Sequence, residues 1–322
     1  MSHTTVGILR GGPSSEYDVS LRTGHRVRQN MGEQYAVKDI FVDKAGLWHV
    51  DGIAKNPAEA LRGIDVVFNA MHGQYGEDGK VQHILDTFNT PYTGSKRFAS
   101  MLAMDKIKTK ELLQMHGVKT PAFTYVKKDE YTSGDLAEIY GSMRRPLVIK
   151  PNTSGSSVAT SLVHTFADFV TAVDDVFAVA PIALIEEYIQ GTEVTCGVLD
   201  HSNGTDIYTF YPVEISHAGG GIWDYTSKYS DELHTCFCPA RIGGKEKRHI
   251  QETSHLAHSV LDLSHYSRSD FMIADNGEVY FLETNTLPGL TETSLYPIGL
   301  ESVGLTMTKF IDHVLTLAIK KK

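Results

Sequence analysis

A chain of 322 residues is too long for one small core, and it predicts two or three packed units. Its 30 basic residues against 39 acidic ones give a net charge of −9, which excludes a general nucleic-acid binder but not an anionic nucleotide held by local lysines. Three cysteines cannot build a disulfide framework, and no apolar run approaches the ~18 residues of a membrane span, so neither a disulfide scaffold nor a membrane partner is expected.

The chain opens on Met1-Ser2-His3-Thr4-Thr5, which carries no basic leader, and the cytoplasm is the expected compartment. A strand is predicted over Val6–Arg10, helical character over Ser15–Asn30, strands over Val37–Val42 and Asp65–Ala70, and a helix over Gly79–Phe88. Strands alternating with helices predict a parallel sheet covered on its faces, with ligand-binding loops at the carboxyl ends of its strands. Gly11-Gly12-Pro13-Ser14 and His72-Gly73 fall at such ends.

A second unit begins near Met104. Asp105–His116 reads as a helix, Gly117 is its stop, and Thr120-Pro121 prevents continuation. A strand at Pro146–Lys150 leads into a small polar turn at Asn152–Ser157, then a helix at Phe166–Ala178 and a strand at Ile182–Ile189. The last unit is rich in strands: Glu193–Leu199, Ile207–Ile215, Leu233–Phe237, Ser269–Ala274 and Val279–Glu283. Helices at Lys245–Leu261 and Leu300–Ile319 flank them, and no internal repeat is present. The expected units are 1–104, 105–186 and 187–322.

Two thiol and imidazole groupings carry little. Cys236 and Cys238 share one strand face but lack the further ligands of a metal site. His255 and His258 share a helix face near His249 and His265, on what reads as a polar surface.

The nucleotide fingerprints G-x-x-x-x-G-K-[ST] and G-x-G-x-x-G after a strand are both absent, so a bound nucleotide needs another phosphate cradle. Lys150-Pro151-Asn152-Thr153-Ser154-Gly155-Ser156-Ser157 is the candidate. A lysine ends a strand, and small residues then expose backbone N–H groups, as an anion-binding nest requires; the same run also fits an ordinary polar hairpin. Ser267-Arg268-Ser269-Asp270 and Leu282-Glu283-Thr284-Asn285 are more specific. Arg268 and Asp270 share one strand face, as do Glu283 and Asn285 on the next strand. Paired, the two strands aim an arginine and three hard oxygen ligands suited to Mg²⁺ at one spot, unless they form a surface salt-bridge ladder. Pro288-Gly289-Leu290-Thr291 follows as a turn that lets backbone approach a ligand.

Further segments extend the pattern: Glu16 with Val19-Ser20-Leu21, His72 to Gly79, Pro91 to Ser95, Asp105-Lys106 with Thr109-Lys110, Glu186 and Glu193, Asp224-Tyr225 with Lys228-Tyr229, and Ser294-Leu295. In this order, over nearly the whole chain, they resemble the D-alanine–D-alanine ligases of the ATP-grasp superfamily. The resemblance implies an α/β ATP-grasp fold, with an N-terminal parallel-sheet domain, a small central domain and a C-terminal mixed-sheet domain. It implies ATP as the phosphoryl donor, two Mg²⁺ ions replaceable by Mn²⁺, a role for a monovalent cation, D-alanine as substrate and a homodimer through the N-terminal domain.

Roles carry over by position. Lys106, Lys150, Ser156 and Ser157 are expected at the ATP phosphates, Glu186 and Ile189 at adenine, and Glu193 at the ribose. Asp270, Glu283 and Asn285 are expected to hold the metal ions. Glu16 is expected to receive the first D-alanine ammonium, with Val19 and His72 nearby, while Ser294 and Leu295 place the second carboxylate. Arg268 and the Gly289 N–H are expected to polarise the reacting carboxyl, and Lys228 to face the transferring phosphate. Ser156 and Tyr229 are expected to join Glu16 in a hydrogen-bonded network beside the amine, and Tyr229 to favour an amine over a hydroxyl nucleophile. The segment from Gly219 to Tyr229 is the expected lid. Ser154 and Ala159 depart from the Glu or Gln and the Gly common in the family, and Trp223 from its Phe or Tyr. The alternatives are a ligase that takes D-serine or D-lactate second and a catalytically inactive ATP-binding module.

Overall fold

The computed structural model describes residues 4–153, 155, 158–201, 206–217 and 234–320. Strand β1 (Thr4–Gly11) is mostly buried, with Val6, Ile8 and Leu9 all enclosed, as a central parallel strand covered on both faces must be. Helix α1 (Tyr17–Gln29) packs on it, and β2 (Tyr35–Val42) and, beyond β3 (Trp48–Val50), β4 (Ile53–Lys55) and α2 (Pro57–Ala60), β5 (Val66–Asn69) complete the first sheet. Its order is β4-β3-β2-β1-β5. β1 runs parallel to β2 and to β5, while β3 and β4 add an antiparallel edge, so the sheet is mixed rather than wholly parallel. The cause is local. Asp43 accepts the backbone N–H groups of Ala45 and Leu47, each at 2.9 Å, in a tight turn through Gly46. An antiparallel neighbour needs only such a turn, whereas a parallel one needs a long crossover.

Helices α3 (Lys80–Thr87), α4 (Arg97–Met104) and α5 (Lys106–Met115) lead to the second sheet. It comprises β6 (Phe123–Lys127), β7 (Leu147–Pro151), β8 (Ser161–Val163) and β9 (Ile182–Glu187), in the antiparallel order β6-β9-β7-β8. Helix α6 (Ser133–Ser142) begins in a capping box formed by Thr132 and Asp135, and α7 (Phe166–Val179) begins at Thr165. Phe169, Val173 and Val176 of α7 close the core over Leu147, Ile149 and Ile185.

The third sheet holds β10 (Gly191–Asp200), β11 (Ile207–Thr209), β12 (Val213–His217), β13 (His234–Phe237), β14 (Tyr266–Ala274) and β15 (Val279–Asn285). Its path is β13-β12-β10-β14-β15 with β11 also on β10, and every pairing among the described residues is antiparallel rather than mixed. The strand expected over Ile207–Ile215 is broken between Thr209 and Val213. Pro212 offers no ladder N–H there, and Phe210 turns fully into the core.

Helix α8 (Gly244–Val260) covers this sheet, and α9 (Leu295–Ser302) and α10 (Met307–Lys320) follow it. The single helix expected over Leu300–Ile319 is therefore two. Gly304 at φ +77° ends the first, and the Thr306 hydroxyl accepts the Lys309 N–H at 3.3 Å to open the second. Helix α10 inserts Phe310, Ile311, Val314 and Leu315 into one core with Val6, Ile8 and Phe68 of the first sheet, Tyr266 of β14 and Tyr296 of α9. The end of the chain thus packs against its beginning. No described helix is long and apolar enough to cross a membrane.

Candidate active site

The β14–β15 ladder sets Arg268 opposite Asn285 and Asp270 opposite Glu283, which brings the expected arginine and oxygen ligands together. Asp270 accepts four hydrogen bonds from three residues. Arg268 reaches Oδ1 through Nε and Oδ2 through a terminal nitrogen, both at 2.9 Å. The Thr195 hydroxyl donates to Oδ1 at 2.5 Å from β10, and the Asn285 amide N–H to Oδ2 at 3.1 Å. Burial alone would lower the Arg268 pKa; the charge and hydrogen bonds of Asp270, then Glu283 and Glu77, overcome it and raise the value. Asn285 directs its N–H at Asp270, which leaves its carbonyl oxygen for a cation. With the Glu283 carboxylate, 23% exposed, this is a hard-oxygen set that fits Mg²⁺, although Asp270 also serves Arg268.

Three lysines converge on the same region. Lys106, at the first turn of α5, lies 3.3 Å from Glu283. Asn152 ties this helix start to the end of β7: its side-chain Oδ1 accepts Ile107 N–H at 3.0 Å, and its side-chain amide donates to Asp105 at 2.9 Å. Val148 pairs with Glu186 across β7 and β9, so Lys150, two residues on, projects from the same face. The Glu186 carboxylate binds Lys150 through Oε2 and Lys110 through Oε1, each at 2.7 Å.

The amino-terminal loops close the other side. Ser14 donates to the His72 carbonyl at 2.7 Å, and the Ser14 hydroxyl accepts the Glu16 N–H at 3.1 Å. Gly73 sits at φ +68°, and a Cβ there would come 2.6 Å from the Glu16 carboxylate. A Cβ on Gly155 would collide with that carboxylate too, which places Glu16 against the candidate phosphate turn. His72 is buried, and burial lowers its pKa against the raising influence of Glu16 and Leu287. The neutral ring donates from Nδ1 to the Leu287 carbonyl at 2.9 Å and accepts the Thr23 hydroxyl at Nε2 at 2.8 Å. It thereby joins α1 and the loop after β5 to the loop after β15.

Gly289 lies in that loop, where a Cβ would come 2.9 Å from the Ser294 hydroxyl. Ser294 precedes α9 and bonds Thr291, and Leu295 is buried behind it. A cavity of about 30 Å³ is lined by Glu77, Lys106, Gly155, Glu283, Asn285 and Thr286, drawing on all three sheets' surroundings. Val19 is half-buried on α1, Ile189 half-buried in the connector after β9, and Glu193 stands on β10 opposite Ile215 and Met272. Ser154, Ser156, Ser157, Trp223, Lys228, Tyr229 and the expected lid lie outside the described residues.

Sequence reasoning gave no role to Lys110, Asn152, Thr195 or Glu77. Lys110 had a signal, since it stands one helical turn after Lys106. Thr195 had none, because only strand pairing sets it opposite Asp270. The histidine surface also differs from expectation: His255 is exposed but His258 is buried, bonded to Ser267 at 2.7 Å and Asp200 at 3.0 Å. Burial pushes the Cys236 thiol up to about 11, well away from the thiolate form that metals bind.

Glu77 accepts N–H bonds from Gly73 at 2.9 Å and Leu287 at 3.1 Å, and the Thr286 hydroxyl at 3.1 Å. Burial first, then the charge of Glu16, pushes its pKa from 4.5 up to about 7. Within that window the folded chain keeps a proton that the unfolded chain has lost, so this group's contribution to stability declines as pH rises. Glu77→Gln is therefore expected to gain stability relative to the unsubstituted protein as pH goes from about 5 to about 8. Urea unfolding across that range measures it; a constant difference would mean that Glu77 stays ionised throughout.

Family models described as D-ala D-ala ligase N-terminus and D-ala D-ala ligase C-terminus match residues 51–95 and 112–316. The D-alanine–D-alanine ligase of Pelotomaculum thermopropionicum is 36% identical over 98% of this chain and 96% of its own. The solved D-alanine–D-alanine ligase of Coxiella burnetii superposes with a TM-score of 0.87 at 26% identity, over 100% of this chain and 95% of its own. That of Bacillus anthracis, solved as a complex with ATP, gives 0.81 at 28% identity, over 99% of each chain.

Proposed function

The chain belongs to the D-alanine–D-alanine ligase family, and on that premise we propose that it joins two D-alanine molecules, using ATP, into the D-alanyl-D-alanine that peptidoglycan synthesis requires. One observation carries the assignment of the site: Glu16 by the phosphate turn, Lys106 and Lys150 from the second unit, and the Arg268–Asp270–Glu283–Asn285 ladder all surround one region.

A carboxylate does not react with amines, because its leaving group would be oxide. Phosphorylation removes that obstacle. The first D-alanine, its ammonium on Glu16, attacks the γ-phosphorus of ATP through a carboxylate oxygen, and ADP leaves. Lys106 and Lys150 neutralise the phosphates, with Lys228 at the group in transfer. Asp270, Glu283 and Asn285 would hold Mg²⁺, which supplies charge neutralisation on the phosphate oxygens when bound. The second D-alanine is held by its carboxylate at Ser294 and Leu295, at the positive end of α9. Its amine loses a proton to the Glu16–Ser156–Tyr229 network and attacks the acyl carbon. The Arg268 nitrogen not engaged by Asp270, together with the Gly289 N–H, stabilises the oxyanion, and phosphate departs. Glu186 and Ile189 receive adenine, and Glu193 the ribose.

D-Alanine labelled with ¹⁸O in both carboxylate oxygens tests this path. One labelled oxygen is expected in the released phosphate and one in the peptide carbonyl. Unlabelled phosphate accompanying dipeptide would rule out the acyl phosphate. Gly155→Ala gives a second check. The new methyl displaces the flexible end of Glu16 rather than backbone, so the fold should survive while the KM for the first D-alanine rises about tenfold, with the KM for ATP moving less. Equal effects on both would detach Glu16 from the ammonium.

The reading includes the units 1–104, 105–186 and 187–322, a cytoplasmic location where ATP is supplied, and a homodimer through the first unit. Phe98 and Met101, one turn apart on α4 and 78% and 45% exposed, offer apolar surface for that contact. Sedimentation at micromolar concentration would separate dimer from monomer.

A further inference from the structure

Lys110 takes no part in the reaction described above, yet its side chain is completely buried. A buried ammonium is costly unless an anion and hydrogen-bond acceptors compensate it. Glu186 supplies the anion at 2.7 Å, and the Phe281 carbonyl of β15 accepts a longer bond at 3.5 Å. Glu186 is shared, since its other oxygen meets Lys150 at 2.7 Å. The two lysines are not equivalent: Lys150 retains 12% side-chain exposure, while Lys110 retains none. Lys150 therefore faces the cleft and Lys110 lies behind the carboxylate.

This arrangement matters once nucleotide binds. In the reading above Lys150 turns to a phosphate, and Glu186, itself 3% exposed, would lose one of its two cations. Lys110 is fixed by α5, so it stays. Burial would raise the Glu186 pKa, but the charges of Lys110 and then Lys150 hold it below the ordinary carboxylate value. We propose that Lys110 is a positioning residue for base recognition: it keeps Glu186 a fixed, ionised acceptor for the exocyclic amine of adenine, and so selects a 6-amino over a 6-oxo purine. The inference rests on the reading that places adenine at Glu186. An ionised carboxylate accepts the adenine amine but repels a 6-oxo group; a protonated or displaced one does neither.

The test compares ATP with inosine triphosphate, which carries an oxo group in place of the 6-amine. The unsubstituted protein is expected to form dipeptide with ATP and to prefer ATP in kcat/KM. Lys110→Met is expected to raise the KM for ATP about tenfold, leave kcat at saturating ATP within about threefold, and lower the ATP preference about tenfold. Lys110→Arg, which keeps the cation, is expected to restore the preference at least in part. In a Glu186→Gln background, Lys110→Met should leave the preference unchanged, because the lysine acts through that carboxylate. If Lys110→Met does not fold, Lys110→Gln, which keeps an N–H donor, carries the same comparison. A full ATP preference in a folded Met or Gln variant overturns the proposal, as does a further loss of preference in the Glu186→Gln background. Failure of the unsubstituted protein to make dipeptide with ATP would overturn the proposed function instead.

Discussion

Glu283→Gln is expected to lower kcat/KM by on the order of 10³ while changing the unfolding free energy by less than about 2 kcal/mol. The carboxylate is partly exposed, with Lys106 at 3.3 Å, and Gln keeps its shape and an oxygen acceptor, so the fold should tolerate the change. On the proposed reading the reaction depends on it strongly, as an oxygen ligand of the metal at the phosphates in transfer. Initial rates over a range of Mg²⁺ concentrations, with urea unfolding alongside, measure both quantities. Near-normal turnover at low millimolar Mg²⁺ would remove Glu283 from the metal site.

Asp270→Asn should behave differently, although the sequence places both residues in one role. An oxygen cluster read from sequence predicts that either change removes activity and spares the fold. The structure alters that expectation for Asp270, which is 5% exposed and is the bidentate partner of Arg268, itself 6% exposed. Neutralising it leaves a buried guanidinium without its counter-charge, which costs about 3–5 kcal/mol in comparable pairs. Activity and stability should therefore fall together. Replacing Arg268 by Met in the same chain removes the stranded cation, so the double variant should regain much of the lost stability and none of the activity. A double variant no more stable than Asp270→Asn alone would show that packing, rather than charge pairing, sets the cost.

The contrast marks what the sequence makes legible. Period-two spacing is enough to set Arg268 with Asp270 and Glu283 with Asn285, because side chains two apart on a strand must share a face. It does not reveal that Thr195 and Asn285 complete the cage around Asp270, since register between distant strands is fixed by packing. Lys150 and Lys106 are visible as a strand end and a helix start. The spacing of Lys110 one turn after Lys106 is visible, but its burial is not, because a lysine inside an amphipathic helix ordinarily marks its wet face and here it is sealed against Glu186. The hairpin of β3 and β4, the strands β6 and β8 and the helix α6 also escape the sequence reading, being short elements with weak periodicity. The Thr132–Asp135 capping box was the one available signal for α6. The catalytic roles of Ser156, Lys228 and Tyr229 rest on resemblance alone.

Phosphate release from ATP and Mg²⁺ over a panel of D- and L-amino acids, D-serine and D-lactate, with products identified by mass, is the most direct test of D-alanine ligation. Phosphate release dependent on D-alanine, matched one for one by D-alanyl-D-alanine near neutral pH, is the expected result. Release that ignores D-alanine, or a product that is mainly D-alanyl-D-serine or D-alanyl-D-lactate when D-alanine competes at equal concentration, would contradict it.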